Sequence, residues 1–310
     1  MRESSGHARA PVSAVLIAGA TASGKSRAAL ELARATGGTV INTDSMQVYR
    51  EAPVLTAQPS DEDRTRVPHL LYGHVGVREL YSVGRFRSDA QEALAGAKGP
   101  AIFTGGTGLY FAALTDGLAD IPPVPAPVRE AARARLKEIG VAALHGELAV
   151  RDPRTAAELR PSDPQRVLRA YEVFEATGRP LGEWQAEKGK PVLAGLKVAK
   201  FVLDLPRPKL RERIDVRFRA MLDAGAMEEA TALKGLDPAL PAAKILGLRQ
   251  LWALQAGEMG RDDAIRDAVT ATRQFAKRQM TWFRHRMADW IWLDSQEFGN
   301  ILPNMLEHLS

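Results

Sequence analysis

The chain of 310 residues contains no cysteine. That excludes disulfide scaffolds, thiolate zinc sites, iron–sulfur clusters and thiol nucleophiles. No apolar run reaches the ~18 residues needed to cross a bilayer. Neither sign of charge dominates: 42 basic residues against 37 acidic ones leave +5, a mild bias toward anionic partners. With 45% hydrophobic and 25% charged residues the chain is neither disordered, collagen-like nor a coiled coil. Its length suggests about two domains. One stretch imitates a secretory signal, with Arg2 and Arg9 ahead of the apolar segment from Ala10 to Ala20. It runs into Gly24-Lys25-Ser26, which phosphate binding explains better, so a cytoplasmic chain without membrane attachment is expected. Met1 to Ala10 reads as a short disordered tail.

What is present is an alternation of strands and helices. Ala14 to Ala18 is a continuous apolar run, as in a strand buried on both faces. Ser26 to Thr36 is helical in composition and ends at Gly37-Gly38. Thr39 to Asn42 and Ala101 to Phe103 are further short strands, and the pattern predicts a parallel α/β sheet. After Gly117 the composition changes. The segment IPPVPAP, from Ile121, holds four prolines that no helix interior or central strand accepts. Val128 to Glu187 is helical throughout, Lys197 to Leu205 returns to strand character, and the chain from Pro208 onward is again mostly helical. The expected fold is α/β: a P-loop NTPase-like parallel core, 11–120 and 197–310, with an all-helical insertion domain, 121–196.

Gly19-Ala20-Thr21-Ala22-Ser23-Gly24-Lys25-Ser26 fits the pattern G-x-x-x-x-G-K-[ST]. Its glycines permit a loop whose backbone N–H groups all point at one centre, and the following helix adds its positive end. Lys25 supplies a mobile charge for phosphates, and the Ser26 hydroxyl suits Mg²⁺. The pattern implies a di- or triphosphate ligand and leaves its fate open. A kinase, a switch GTPase and a pyrophosphate-releasing transferase would all use it, although the guanine-reading N-K-x-D is absent.

In an open parallel sheet, ligands sit outside the carboxyl ends of the strands. Asp44, just beyond the second strand, is therefore on the same rim. It can hold Mg²⁺, act as a general base, or merely stop the strand in an Asx-turn. Gly105-Gly106-Thr107-Gly108 ends the third strand there too, where glycines admit close backbone approach or simply a tight turn.

GATASGKS, DSMQVYR and GGTGLY, in this order, resemble the tRNA dimethylallyltransferases. The resemblance runs over roughly residues 12 to 290. It includes Val67-Pro68-His69, Tyr81-Ser82-Val83, Asp163 with Gln165-Arg166 and Arg169, Arg213 and Arg217, AKILGLRQL from Ala243, and TRQFAKRQMTWFR from Thr272. Ala20 replaces the usual proline of the loop and Ser26 the commoner threonine. Gln58 stands where a lysine is usual, and Leu70 where a second histidine is common.

The resemblance implies transfer of a dimethylallyl group from dimethylallyl diphosphate to N6 of the adenosine beside the anticodon of tRNA. It implies that Asp44 is the base, that Thr21 contacts the bridging oxygen or helps to hold Asp44, and that Lys25, Arg217 and Arg213 grip the diphosphate with Mg²⁺. It also implies that the adenosine leaves its stack, read by Ser45, Met46 and Gln47 beside Asp44, with Thr107 against the displaced nucleotide. Lys25 and Asp44 are both expected outside the hydrophobic core.

From Thr270 to Arg286 the chain carries Arg273, Lys277, Arg278, Arg284 and Arg286 and no acid, with Phe275, Trp282 and Phe283 interleaved. This is either an amphipathic surface helix or a face that tracks RNA phosphates, chiefly through Lys277 and Arg278. Gln165, Arg166 and Arg169 in the insertion, and Arg249-Gln250, are further candidate contacts. His69 and His74 lack a third ligand and a metal-binding spacing. The competing functions are an ATP-dependent small-molecule kinase, with Asp204 holding metal, and a non-catalytic RNA-binding module. The catalytic reading has the anticodon stem-loop of tRNA and dimethylallyl diphosphate as partners and a monomer as the working unit.

Overall fold

The computed structural model describes residues 12–309; the expected N-terminal tail lies outside the described residues. The chain forms two compact units, one holding the chain up to Leu114 together with Val192 onward, the other Thr115–Pro191.

In the first unit β1 (Ala14–Gly19) leads into α1 (Lys25–Thr36), and β2 (Thr39–Asn42) into the short α2 (Pro53–Thr56) and α3 (Asp61–Arg66). Then come β3 (His69–Leu70), α4 (Val83–Gly96), β4 (Ala101–Gly105) and α5 (Gly108–Thr115). The second unit holds α6 (Ala126–Arg151), α7 (Pro153–Glu158), α8 (Pro164–Thr177) and α9 (Leu181–Ala186). The chain returns to the first unit with β5 (Val198–Asp204), α10 (Arg207–Asp223), α11 (Ala226–Ala232), α12 (Leu248–Gln255), α13 (Arg261–Arg286), β6 (Ile291–Asp294) and α14 (Phe298–Glu307).

Among the described residues the strands make one six-stranded sheet in the order β3-β2-β4-β1-β5-β6, parallel at every pairing. The central strand is β1, each of its residues buried because helices cover both faces. From β1 the chain goes to one side through α1, and after β4 it crosses to the other side at β5. The reversal lies between β1 and β4, the crevice where open α/β sheets bind ligands. Val15, Ile17, Ile102, Phe201 and Leu203 form the core with Ala28, Ala29, Leu32 and Ala33 of α1. Those α1 positions recur at helical spacing, and Gly37 ends the helix in the left-handed region (φ 65°), its N–H donating to the Ala33 carbonyl.

Two strands escaped the sequence reading. β3 has two residues and carries no periodicity. β6, which interrupts the supposedly helical C-terminal stretch, is a half-buried four-residue edge strand, and so short an apolar run does not distinguish strand from helix.

The second unit begins six residues earlier than the prolines suggest, at Thr115 rather than 121, and ends at Pro191 rather than 196. The reason is backbone pairing. Val192 and Leu193 donate to the carbonyls of Ala113 and Leu114, which ties that segment to the first unit, while Gly189 donates to Leu118 and closes the second. Its own core is Val124, Leu148, Ala156, Ala170, Val173 and Leu181.

Candidate active site

Three loops at the carboxyl ends of β1, β2 and β4 form the rim. After β1 the chain turns through Ala22 (φ 64°) and Gly24 (φ 96°), and α1 starts with no side-chain cap. Its first amides therefore remain available to an anion. Lys25 is buried at 8% exposure, contrary to the expectation of a mobile charge outside the core, and its Nζ donates to the Ala20 carbonyl at 3.2 Å. Burial lowers its pKa to about 8; Asp44 opposes that shift and Arg217 adds to it. Ser23 Oγ is buried without a hydrogen-bond partner. The Thr21 N–H does not point at the common centre: it donates to Gln279 Oε1 at 3.0 Å.

At the end of β2, Asn42 accepts from the Asp44 N–H at 2.7 Å and donates to the carbonyls of Asp44 and Leu71. Asp44 Oδ1 accepts from the Met46 N–H at 3.0 Å, so the Asx-turn is real. It occupies one oxygen; among the described residues Oδ2 accepts no hydrogen bond. After β4, Thr107 Oγ1 accepts from the Ser45 N–H at 2.9 Å and donates to Ser45 Oγ at 3.2 Å. Thr107 thus positions the Asp44-Ser45 turn. Gln47 is buried and its Nε2 is committed to the carbonyls of Thr56 and Ala57 at 3.0 and 2.6 Å, which removes its N–H donors from reading a base edge.

From α10, Arg217 reaches Thr21 Oγ1 at 3.5 Å, the outer limit of a hydrogen bond. Its pKa is lowered by burial, with Asp44 opposing. Arg213 lies one turn earlier, its Nη1 3.7 Å from where a Cβ on Gly24 would sit. Lys209, Arg213 and Arg217 line a cavity of about 530 Å³. On the other side of Arg217 is a slot lined by Thr21, Ala22, Asp44 and Met46 and walled by Leu55, Ile214, Phe218, Met221, Ile245 and Phe275. The site therefore has a cationic end for an anion and an apolar end for a hydrocarbon, meeting at Arg217, with the Asp44 carboxylate in the apolar slot.

Sequence reasoning missed those apolar walls, which come from three helices and a loop, and it missed Gln279. The available signal was on α13. Thr272, Phe275, Gln279 and Trp282, spaced three, four and three, share one helical face. Thr272 and Phe275 line the slot, Gln279 bonds the phosphate loop, and Trp282 closes on Gly108, where a Cβ would meet its ring at 2.4 Å.

Lys277 faces the opposite way, into a cavity of about 430 Å³ between α10 and α13 that Arg207, Arg211, Arg273 and Arg284 also line. Arg278 is exposed over the Phe275 ring at 5.8 Å, and Arg249 is exposed beside half-buried Gln250 on α12. In the second unit Gln165, Arg166 and Arg169 are on α8 and all three are exposed, with Arg166 paired to Asp163 at 3.4 Å. Gln58, the departure from the family pattern, is a latch: Nε2 donates to the Tyr49 carbonyl at 2.7 Å and Oε1 accepts from Arg64 at 3.0 Å. Leu70 sits on the edge strand β3.

Among the described residues no three His, Asp or Glu side chains could hold a metal by themselves. Ser26 is exposed in the first turn of α1 and offers one neutral oxygen. Mg²⁺ bound through phosphates asks no more than one or two protein oxygens, so the donor set fits an ion that arrives with a diphosphate.

The family model for IPP transferase matches residues 47–286, and that for isopentenyl transferase residues 12–70. The chain is 50% identical over 285 residues to the tRNA dimethylallyltransferase of Azorhizobium caulinodans, covering 90% of this chain and 91% of that one. It is 52% identical over 289 residues to that of a Bradyrhizobium species, covering 92% and 95%. The crystal structure of the full-length tRNA isopentenylpyrophosphate transferase of Bacillus halodurans matches with a TM-score of 0.63 at 30% identity, over 94% of this chain and 96% of that one. A eukaryotic dimethylallyltransferase caught acting on tRNA matches with a TM-score of 0.78 at 26% identity, over 92% and 74%. Domain order, rim loops and these matches agree, and the chain belongs to the tRNA dimethylallyltransferase family.

Proposed function

We infer that this protein transfers the dimethylallyl group of dimethylallyl diphosphate to the exocyclic N6 of the adenosine beside the anticodon of tRNA, releasing diphosphate. The observation that carries the reading is the slot, where an apolar wall, the phosphate loop, Arg217 and the open oxygen of Asp44 meet. A prenyl diphosphate is a hydrocarbon joined to an anion, and the site has the same two ends.

The exocyclic amine is a weak nucleophile because its lone pair is delocalised into the ring. As the N6–carbon bond forms and the carbon–oxygen bond to diphosphate breaks, Asp44 Oδ2 takes the N6 proton. Such help is worth about 10²–10⁴ in rate. The α1 amides, Lys25, Arg213 and Arg217 receive the charge that gathers on the departing diphosphate. Bound Mg²⁺, held by Ser26, would neutralise part of that charge. Lys277, Arg278, Arg249, Arg166 and Arg169 are the side chains assigned to tRNA phosphates. One chain carries every group in this scheme, so the working unit is a monomer, acting where tRNA is, in the cytoplasm.

The experiment incubates the purified protein and tRNA with labelled dimethylallyl diphosphate or labelled ATP. Label is expected in an adenosine nucleoside from the first and in no product from the second. The rival kinase reading leaves the apolar wall without purpose; phosphoryl transfer from ATP without prenyl transfer would establish it instead.

A further inference from the structure

Helix α13 enters the site through one buried amide. Gln279 is 6% exposed, and both ends of its carboxamide are committed. Oε1 accepts the Thr21 N–H at 3.0 Å, and Nε2 donates to the Gly106 carbonyl at 2.9 Å. Thr21 belongs to the phosphate loop after β1, Gly106 to the glycine loop after β4. The two strands are paired up to Ala18 and Gly105, where the backbone ladder stops. Past that point the loops diverge, and the Gln279 side chain continues the bridging. Gly106 is required by this contact: a Cβ there would lie 2.1 Å from Gln279 Nε2, and 3.4 Å from Asp44 Oδ2. The amide therefore borders the carboxylate assigned as base, while the loop it holds carries the hydroxyl that Arg217 contacts.

We propose that Gln279 is a positioning residue for the group transfer, setting the distance between the diphosphate-holding loop and the Asp44–Thr107 shelf so that leaving group and base face each other across the slot. The proposal rests on the prenyl-transfer reading of the site. A primary amide is chemically suited to the task, since it donates from one end and accepts at the other without a charge. An aliphatic side chain would leave a buried N–H and a buried C=O unpaired. An ionised carboxylate would still accept from Thr21 but would set a lone pair against the Gly106 carbonyl. A protonated carboxyl would restore both bonds. The loops need not unfold for the chemistry to suffer, because misplacing reacting groups by ~1 Å can cost about 10²-fold in rate.

The test uses the full chain with Gln279→Met, which keeps the volume and loses both hydrogen bonds, and Gln279→Glu, which is switchable by pH. Single-turnover prenyl transfer at saturating substrates, tRNA affinity and thermal midpoint are measured from pH 5.5 to 9. For Gln279→Met we expect a chemical step slowed at least ~10-fold while tRNA affinity changes less than about threefold. For Gln279→Glu we expect the rate relative to wild type to climb as pH falls, since burial raises the carboxyl pKa toward neutrality. A merely structural glutamine would lower the thermal midpoint and leave that ratio flat. A Gln279→Met enzyme that transfers at the wild-type rate, or a Gln279→Glu profile parallel to wild type, overturns the proposal. Should Gln279→Met fail to fold, the Gln279→Glu profile decides alone. Absence of prenyl transfer by the wild-type chain would instead overturn the reading of the site, and the proposal with it.

Discussion

At Lys25, burial and charge pull in opposite directions, and burial wins: the pKa falls to about 8. Below pH 8 the ammonium is charged in a place that disfavours it, so it destabilises the fold there. That cost is relieved between pH 8 and the ordinary 10.5, where the unfolded chain holds a proton that the folded one does not. For an anionic ligand the sign is reversed. Above pH 8 diphosphate must bring a proton with it, so its dissociation constant should rise between pH 7 and 9 by about tenfold. Titration calorimetry checks this, with Lys25→Met binding weakly at pH 7 and showing no such rise. Asp44 separates from Lys25 by chemistry. Asp44→Asn retains the Oδ1 bond to the Met46 N–H and loses the base, so it should bind tRNA and dimethylallyl diphosphate and transfer at least ~10²-fold more slowly. Near-wild-type single-turnover rates in Asp44→Asn would remove Asp44 from the chemistry.

Helix α13 is the element on which the site depends most, and its faces do different work. The face of Thr272, Phe275, Gln279 and Trp282 closes the slot and spaces the loops. Ala268, Val269, Ala276 and Phe283 are buried in packing, and Lys277, Arg278 and Arg284 are exposed. Neutralising Lys277 and Arg278 together with alanine should weaken tRNA binding and flatten its salt dependence, by about one unit of slope for each phosphate that the protein no longer neutralises. Affinity for dimethylallyl diphosphate should stay constant, and an unchanged slope would make this face plain solvated surface. The packing face has its own test. Gly108→Ala would drive a methyl into the Trp282 ring at 2.4 Å. Such overpacking costs about 1–3 kcal/mol, read as a lowered denaturant midpoint with an unchanged slope.

For the whole molecule, the parallel sheet places the carboxyl ends of β1, β2 and β4 on one rim and brings α10 and α13 against it. Ligand binding should therefore stabilise the first unit as a body. Dimethylallyl diphosphate at ~100 times its dissociation constant adds about 2.7 kcal/mol. Calorimetry should show the matching rise in thermal midpoint for the wild type and a smaller one for Lys25→Met at the same ligand concentration. Equal shifts in both proteins would show that Lys25 does not contribute to ligand affinity.

The parts of the site that were legible in the sequence are those contiguous in the chain. The phosphate loop, Asp44 with its turn, and the Gly105-to-Gly108 loop each follow a strand, and each carries its chemistry within a few residues. Local rules of turn geometry, helix polarity and strand ends act over just that range. The four prolines after Gly117 likewise marked a change of architecture, though not its boundary, because Val192 and Leu193 pair through their backbones with Ala113 and Leu114, far away in the sequence. Tertiary structure decided which residues face the slot, since Leu55, Ile214, Met221, Ile245 and Phe275 meet only when separate elements pack. It also decided that Lys25 is buried, because burial depends on what the rest of the fold lays over a residue. Gln279 belongs with these: its amide bonds residues 258 and 173 positions away, and nothing local to α13 distinguishes it from a solvated glutamine until the ends of β1 and β4 are brought beneath it.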